Sequence, residues 1–162
     1  MRESKFRGKS TMSIVKMDRF GINHNNGWVN GNLVMCGKQP FIVGDFIEVD
    51  EEFTINEWWC PVYVKTTGQY TGLKDKNGTE IYEGDIFALE VPYACFETGD
   101  TIYEKEYIPV TFEDGKYVLY EQGIRNHNLC DVLTGWRIRE GYKCNGEVIG
   151  NIYEHKHLLE AE

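Results

Sequence analysis

Proline is scarce in this sequence, four residues in 162, and no apolar run approaches the roughly 18–20 residues that a helix needs to cross a bilayer. Long stretches of helical periodicity are missing as well, which leaves short strands and tight turns as the expected material of the fold. No G-x-x-x-x-G-K-[ST] phosphate loop and no dinucleotide fingerprint occur, so nucleotide-dependent chemistry of those kinds has no signature here. The cysteines never pair as C-x-x-C. Cys36, Cys60, Cys95, Cys130 and Cys144 are scattered and odd in number, a pattern suited to free thiols in a reducing compartment, where buried cysteine acts as a small hydrophobe. The opening MRESKFRGKS is basic but has no apolar stretch behind it, and it does not read as a secretory signal. The expectation is one ordinary domain, or two small lobes, in a soluble cytoplasmic protein.

Charge is uneven. Residues 1–43 hold seven Lys/Arg against two Asp/Glu, a balance of +5; the rest holds ten against twenty-four, or −14, and the two give the net −9. A field of that sign repels polyanions, because nucleic-acid affinity rests on phosphate neutralisation and counterion release. The basic segment, with Arg2, Lys5, Arg7, Lys9, Lys16 and Arg19, reads either as a local footprint for a strand of nucleic acid or as a complement to the acidic remainder of a neighbouring subunit.

The most informative stretch is Gly68 to Phe87, GQYTGLKDKNGTEIYEGDIF. Tyr70 to Leu73 suits a pleated surface, and Asp75-Lys76-Asn77-Gly78 supplies a turn. Asp75 can accept from a backbone N–H two residues on, and Gly78 takes positive φ without a Cβ penalty. Thr79 to Tyr82 returns as the second strand, Glu83-Gly84-Asp85 turns the chain again, and Ile86 to Val91 runs on as an apolar strand. Asn30-Gly31, between Trp28-Val29 and Leu33-Val34, is a second Asn-Gly hairpin signal, and Asp114-Gly115 a third between Ile108–Phe112 and Lys116–Tyr120.

Elsewhere, Lys5 to Lys9 reads as a first strand that Met12 to Met17 continues or follows. Phe41 to Val49 is an apolar run broken at Gly44-Asp45, and acidic Asp50 to Glu57 reads as a loop or a single helical turn. Trp58 to Val64 reads as an aromatic strand. Pro92 to Glu106 reads as an arm or extended hairpin, Leu129 to Leu133 as a helical turn, and Trp136 and Ile138 as tucked inward. Glu147 to Tyr153 is the closing strand, and Glu154 to Glu160 a short terminal helix. Gly44-Asp45-Phe46-Ile47 echoes Gly84-Asp85-Ile86-Phe87, which needs no duplication to explain it.

QYTGLKDKNG followed by EIYEGDI resembles the signature of the YopX-like family of phage and prophage proteins. KFRGK with GWVNGNLV (Gly27 to Val34) is similar to that family's first strand and hairpin, and EVIGNIYEHKHLL (Glu147 to Leu159) to its closing strand. The resemblance implies a protein made in a bacterial cell from phage or prophage genes. It implies no activity and supplies no catalytic residue. The residues themselves point to a mainly β fold with few short helices. GDIFALEV, IPVTF-EDG-KYVLY and EVIGNIY have the strand lengths of a small SH3-like β-barrel over residues 68–162, with an N-terminal β lobe over 1–67 packed against or intertwined with it.

Candidate chemistry is thin. His127, Cys130, Cys144, His155 and His157 are nitrogen and sulfur donors of the kind zinc accepts, but their spacings are mismatched for a structural site. Asp75, Glu80, Glu83 and Asp85 cluster in sequence, yet turn chemistry suffices to explain both aspartates. Cys130 and His127 form a nucleophile pair only on paper, without an oxyanion-hole pattern. No catalytic, cofactor or metal residue is therefore assigned. Trp28, Trp58, Trp59 and Trp136, with ten tyrosines, read either as a surplus over what one small core must bury, with some facing a partner as aromatics do at interface centres, or as core filling and cross-strand stacking. The expectation is a non-enzymatic interaction module whose partner is another copy of the chain or a host or phage protein. The competing readings are a nucleic-acid-binding barrel and an enzyme with an unrecognised site.

Overall fold

The computed structural model describes residues 4–94, 99–120, 126–134 and 146–160. The chain divides into two compact units, Met1–Tyr70 and Thr71–Glu162, and the division falls inside one strand. The fold is mainly β, with antiparallel pairing throughout, and among the described residues no sheet closes into a barrel.

The first unit starts with β1 (Phe6–Lys9), followed by helix α1 (Ile14–Arg19). Met12 to Met17 thus turns helical instead of extending the strand. Ser13 decides this: its hydroxyl accepts from Lys16 N at 3.4 Å and caps the first turn, while Lys16 and Arg19 suit the negative end of the helix dipole. One buried residue, Met17, anchors α1 in a core of Ile22, Val29, Ile42, Trp58, Cys60 and Val62. β2 (Trp28–Cys36) and β3 (Gln39–Val43) form a hairpin whose turn is Gly37-Lys38, with Gly37 at φ 61°.

The Asn30-Gly31 turn expected from the sequence is therefore not a turn. Both residues lie inside β2, paired with Arg7 and Phe6 of β1. Glycine is needed at position 31 for a different reason, since a Cβ there would strike the carbonyl oxygen of Val43. A strand glycine marks close backbone approach as readily as a reversal.

β4 (Phe46–Val49) and β5 (Thr54–Asn56) pair only with each other. The acidic stretch expected to be a loop or helical turn accordingly holds a strand, because Thr54 and Ile55 pair with Val49 and Glu48. β6 (Trp59–Pro61) returns to β3, and after a 3-10 turn at Val64–Thr66 the chain enters β7 (Gly68–Lys74). In the first unit the sheet runs β6-β3-β2-β1 and on to the start of β7, and β7 leads into β8 (Glu80–Tyr82).

The second unit is built on a long hairpin of β9 (Asp85–Ala94) and β10 (Thr101–Glu113), as the polar arm in the sequence suggested. β10 turns into β11 (Lys116–Tyr120) through Asp114-Gly115, whose φ values of 49° and 78° are those of a tight two-residue reversal. β12 (Asn126–Asn128), helix α2 (Leu129–Thr134) and β13 (Glu147–Asn151) follow, and a 3-10 turn at Lys156–Leu159 replaces the expected terminal helix. The sheet order is β12-β11-β10-β9-β13. Its core gathers Ile81, Phe87, Leu89, Ile108, Val110, Leu119 and Leu129. Each such side chain, fully buried, contributes about 1.5–3 kcal/mol of transfer free energy. Trp136 and Ile138 lie outside the described residues.

The echo between Gly44-Asp45 and Gly84-Asp85 is superficial. Gly84 sits at φ 83°, whereas Gly44 has ordinary φ and is required because a Cβ would meet the Trp58 indole nitrogen at 2.7 Å.

Candidate functional site

The signature stretch folds as the sequence predicts, and its two aspartates, Asp75 and Asp85, are buried. Asp75 Oδ1 accepts from Asn77 N at 2.8 Å and Thr79 N at 2.9 Å. Its Oδ2 accepts from Val148 N at 2.9 Å, so one carboxylate closes the β7–β8 turn and pins β13 to it. Gly78, at φ 82°, completes the reversal, with its N–H donating to Asp75 O at 3.0 Å. Asp85 is fully buried and accepts from Tyr82 N at 2.8 Å, which tightens the Glu83-Gly84 corner. Thr71 is buried too; its hydroxyl donates to Ile81 O at 2.8 Å. Glu80 is met by the Tyr82 hydroxyl at 2.7 Å. The two aspartates of the cluster weighed for acid–base roles thus brace backbone amides, while Glu80 is held by a tyrosine hydroxyl.

Beside it, Glu147 receives the Asn77 side-chain amide at 3.1 Å, with Lys76 at 3.5 Å and Lys105 at 3.8 Å. The Asn77 hydrogen bond first, then the Lys76 charge, hold its carboxyl below the usual range.

Of the donors weighed for zinc, Cys130, His155 and His157 fall among the described side chains. Cys144 and the side chain of His127 lie outside the described residues. Cys130 is exposed on α2, and His155 Nδ1 accepts from Asn151 N at 3.3 Å, with its ring 6.2 Å from that of His157. Among the described residues no group of three or more His, Cys, Asp or Glu converges as a metal set. Of the thiols, Cys60 behaves as the small hydrophobe expected. Burial pushes its thiol up, and a contact at 3.2 Å to the Ser10 hydroxyl draws it part of the way back. Cys36 and Cys130 are exposed instead. Cys95 lies outside the described residues.

The basic segment is engaged locally. The Arg7 guanidinium lies 5.0 Å over the Trp28 ring, and the Lys9 ammonium is 5.6 Å from the same ring and 2.7 Å from Asn26 O. Lys16 and Arg19 are exposed on α1. Arg2 lies outside the described residues. The tryptophans divide: Trp28 and Trp58 are buried, while Trp59 is half exposed and stands edge-on to Phe41 at 6.3 Å.

What sequence reasoning missed is the β4–β5 hairpin. Every residue of β4 is exposed, with Phe46 at 57%, Ile47 at 68% and Val49 at 69%, and Phe53 and Ile55 are exposed beyond the turn. Its base is hooked to the first unit by Gly44 N to Trp58 O at 3.0 Å and by the Asn56 side chain to Gly44 O at 3.1 Å. An apolar run such as FIVGDFIEV reads as core, and only tertiary structure shows that its second half covers nothing. The density of carboxylates around it, Asp45, Glu48, Asp50, Glu51, Glu52 and Glu57 without a Lys or Arg, was the available signal. No helix among the described residues is long and apolar enough to cross a membrane.

Comparison with curated proteins produced no match. Among solved structures, protein EF1440 from Enterococcus faecalis is similar at 25% identity and a TM-score of 0.45, over 74% of this chain and 78% of that one. A family model described as YopX protein matches residues 5–160, which takes in β1, the β7–β8 turn and β13 alike. The chain belongs to the YopX protein family.

Proposed function

We propose that this chain is a non-enzymatic interaction module that self-associates, an accessory protein of phage or prophage origin working in the bacterial cytoplasm. The observation that carries the reading is the β4–β5 hairpin. It is a two-stranded ribbon with Phe46, Ile47 and Val49 in solvent, and a lone ribbon of that kind is marginal in water. Contiguous exposed apolar groups rimmed by charge mark interaction sites. The buried carboxylates of the signature stretch support it from the other side, since Asp75 and Asp85 are engaged with backbone amides.

The second unit suits a scaffolding role in an SH3-like arrangement. Its β9-β10-β11-β12 meander receives the last strand, β13, against its first member, an order that supports this reading. The test is light scattering and sedimentation velocity on the full chain across micromolar concentrations. Masses above the monomer that rise with concentration are expected; a strict monomer throughout refutes self-association.

A further inference from the structure

We infer that the β4–β5 hairpin of one copy docks on the exposed flank of α1 of a second copy. The inference rests on the self-association reading and names the two surfaces that meet. Both belong to the first unit, and they differ in sign.

The hairpin offers Ile47 and Val49, 68% and 69% exposed, within a segment whose charged groups are all carboxylates. Asp50, Glu51 and Glu52 occupy its tip, where Asp50 N donates to Phe53 O at 2.9 Å. Two such hairpins face to face would bring carboxylates together with no cation between them.

Helix α1 offers the complement. Met17 points into the core, and at about 100° per residue Val15 and Arg19 point away from it, with Lys16 and Phe20 alongside. Val15 is 77% and Phe20 60% exposed, and the Lys16 ammonium stands 5.9 Å from the Phe20 ring. The helix's carboxylate, Asp18, lies on the opposite flank, 3.1 Å from His24. One side of α1 therefore carries two cations and two apolar groups. Lysine and arginine stems lie along apolar surface while their heads reach outward. Such a flank accepts Ile47 and Val49 and meets Glu51 and Glu52 with opposite charge.

Charge complementarity selects the second copy as occupant. Like surfaces repel, and unlike surfaces on two copies satisfy both apolar burial and charge, which steers encounter and sets register.

The test is a charge swap on the full chain. Glu51→Lys with Glu52→Lys in one variant, and Lys16→Glu with Arg19→Glu in another, are each expected to weaken self-association by at least about tenfold. An equimolar mixture of the two is expected to recover it, since the reversed hairpin meets the reversed helix and the remaining surfaces are native. Ile47→Ser with Val49→Ser, an uncharged variant at exposed positions, is expected to weaken association with an unchanged melting temperature. If either charge variant melts early, this variant still decides. A wild-type chain that stays monomeric up to about 100 µM, beyond the range of weak complexes of biological use, overturns both this pairing and the self-association reading. A wild-type chain that associates, with variants that associate equally well or a mixture that stays apart, overturns the hairpin–helix pairing alone.

Discussion

Two acidic hairpins of this chain use the same residue types to opposite ends. In the β7–β8 turn, Asp75 spends both oxygens on three backbone amides, one of them 73 residues away at Val148. In the β4–β5 hairpin, Asp45, Glu48, Asp50, Glu51, Glu52 and Glu57 are all exposed. The difference lies in what stands behind each. The first hairpin has the Ile81 and Phe87 core at its back, where an unpaired amide would be costly; the second has solvent on β4 throughout. A carboxylate beside buried amides becomes structure, and one in water stays available as charge.

That contrast can be broken most forcefully at Asp75. Asp75→Ala leaves three amide donors without their acceptor and is expected to cost about 3–4 kcal/mol in urea unfolding. Glu51→Ala with Glu52→Ala should stay within about 0.5 kcal/mol of wild type. Equal effects at the two sites would erase the distinction. Gly78→Ala, at φ 82°, is next: an L side chain there is expected to cost about 1–2 kcal/mol by the same measurement.

Hydrogen exchange sharpens the comparison without mutation. The amides of Asn77, Thr79 and Val148 are expected to exchange far more slowly than those of Ile47 and Val49, whose strand has one partner and no cover. Association through the hairpin should slow the latter pair as concentration rises.

A smaller effect concerns pH. Glu147, whose folded carboxyl is depressed by Asn77 and Lys76, contributes stability that is present above its unfolded value of 4.5 and is lost as pH falls through the lower folded value. Glu147→Gln should therefore narrow the difference in stability between neutral and strongly acidic solution. An unchanged acid profile in unfolding titrations would remove Glu147 from the account.

Reading the sequence alone located the β7–β8 and β10–β11 turns, the long β9–β10 hairpin and the α2 turn. These depend on dihedral preferences and side-chain-to-backbone bonds within a few residues. It went astray at Asn30-Gly31 and at Asp50 to Glu57. In the first case an Asn-Gly pair that ordinarily reverses the chain stays extended, because β1 pairs with it and the Val43 backbone needs the missing Cβ. In the second, pairing with β4 imposes a strand on a stretch with little preference of its own. The helix at Ile14 was missed although its local signal, the Ser13 cap, was in view.

Sequence by itself thus determined where this polypeptide reverses with Asp-Gly or an Asp-led loop, since positive φ and a side-chain acceptor two residues back are properties of the local chain. Tertiary structure alone decided which apolar strand would be left uncovered, which acids would be buried, and that one aspartate would join β7 to β13. Those outcomes depend on what arrives from tens of residues away, and no short window of sequence contains that neighbour.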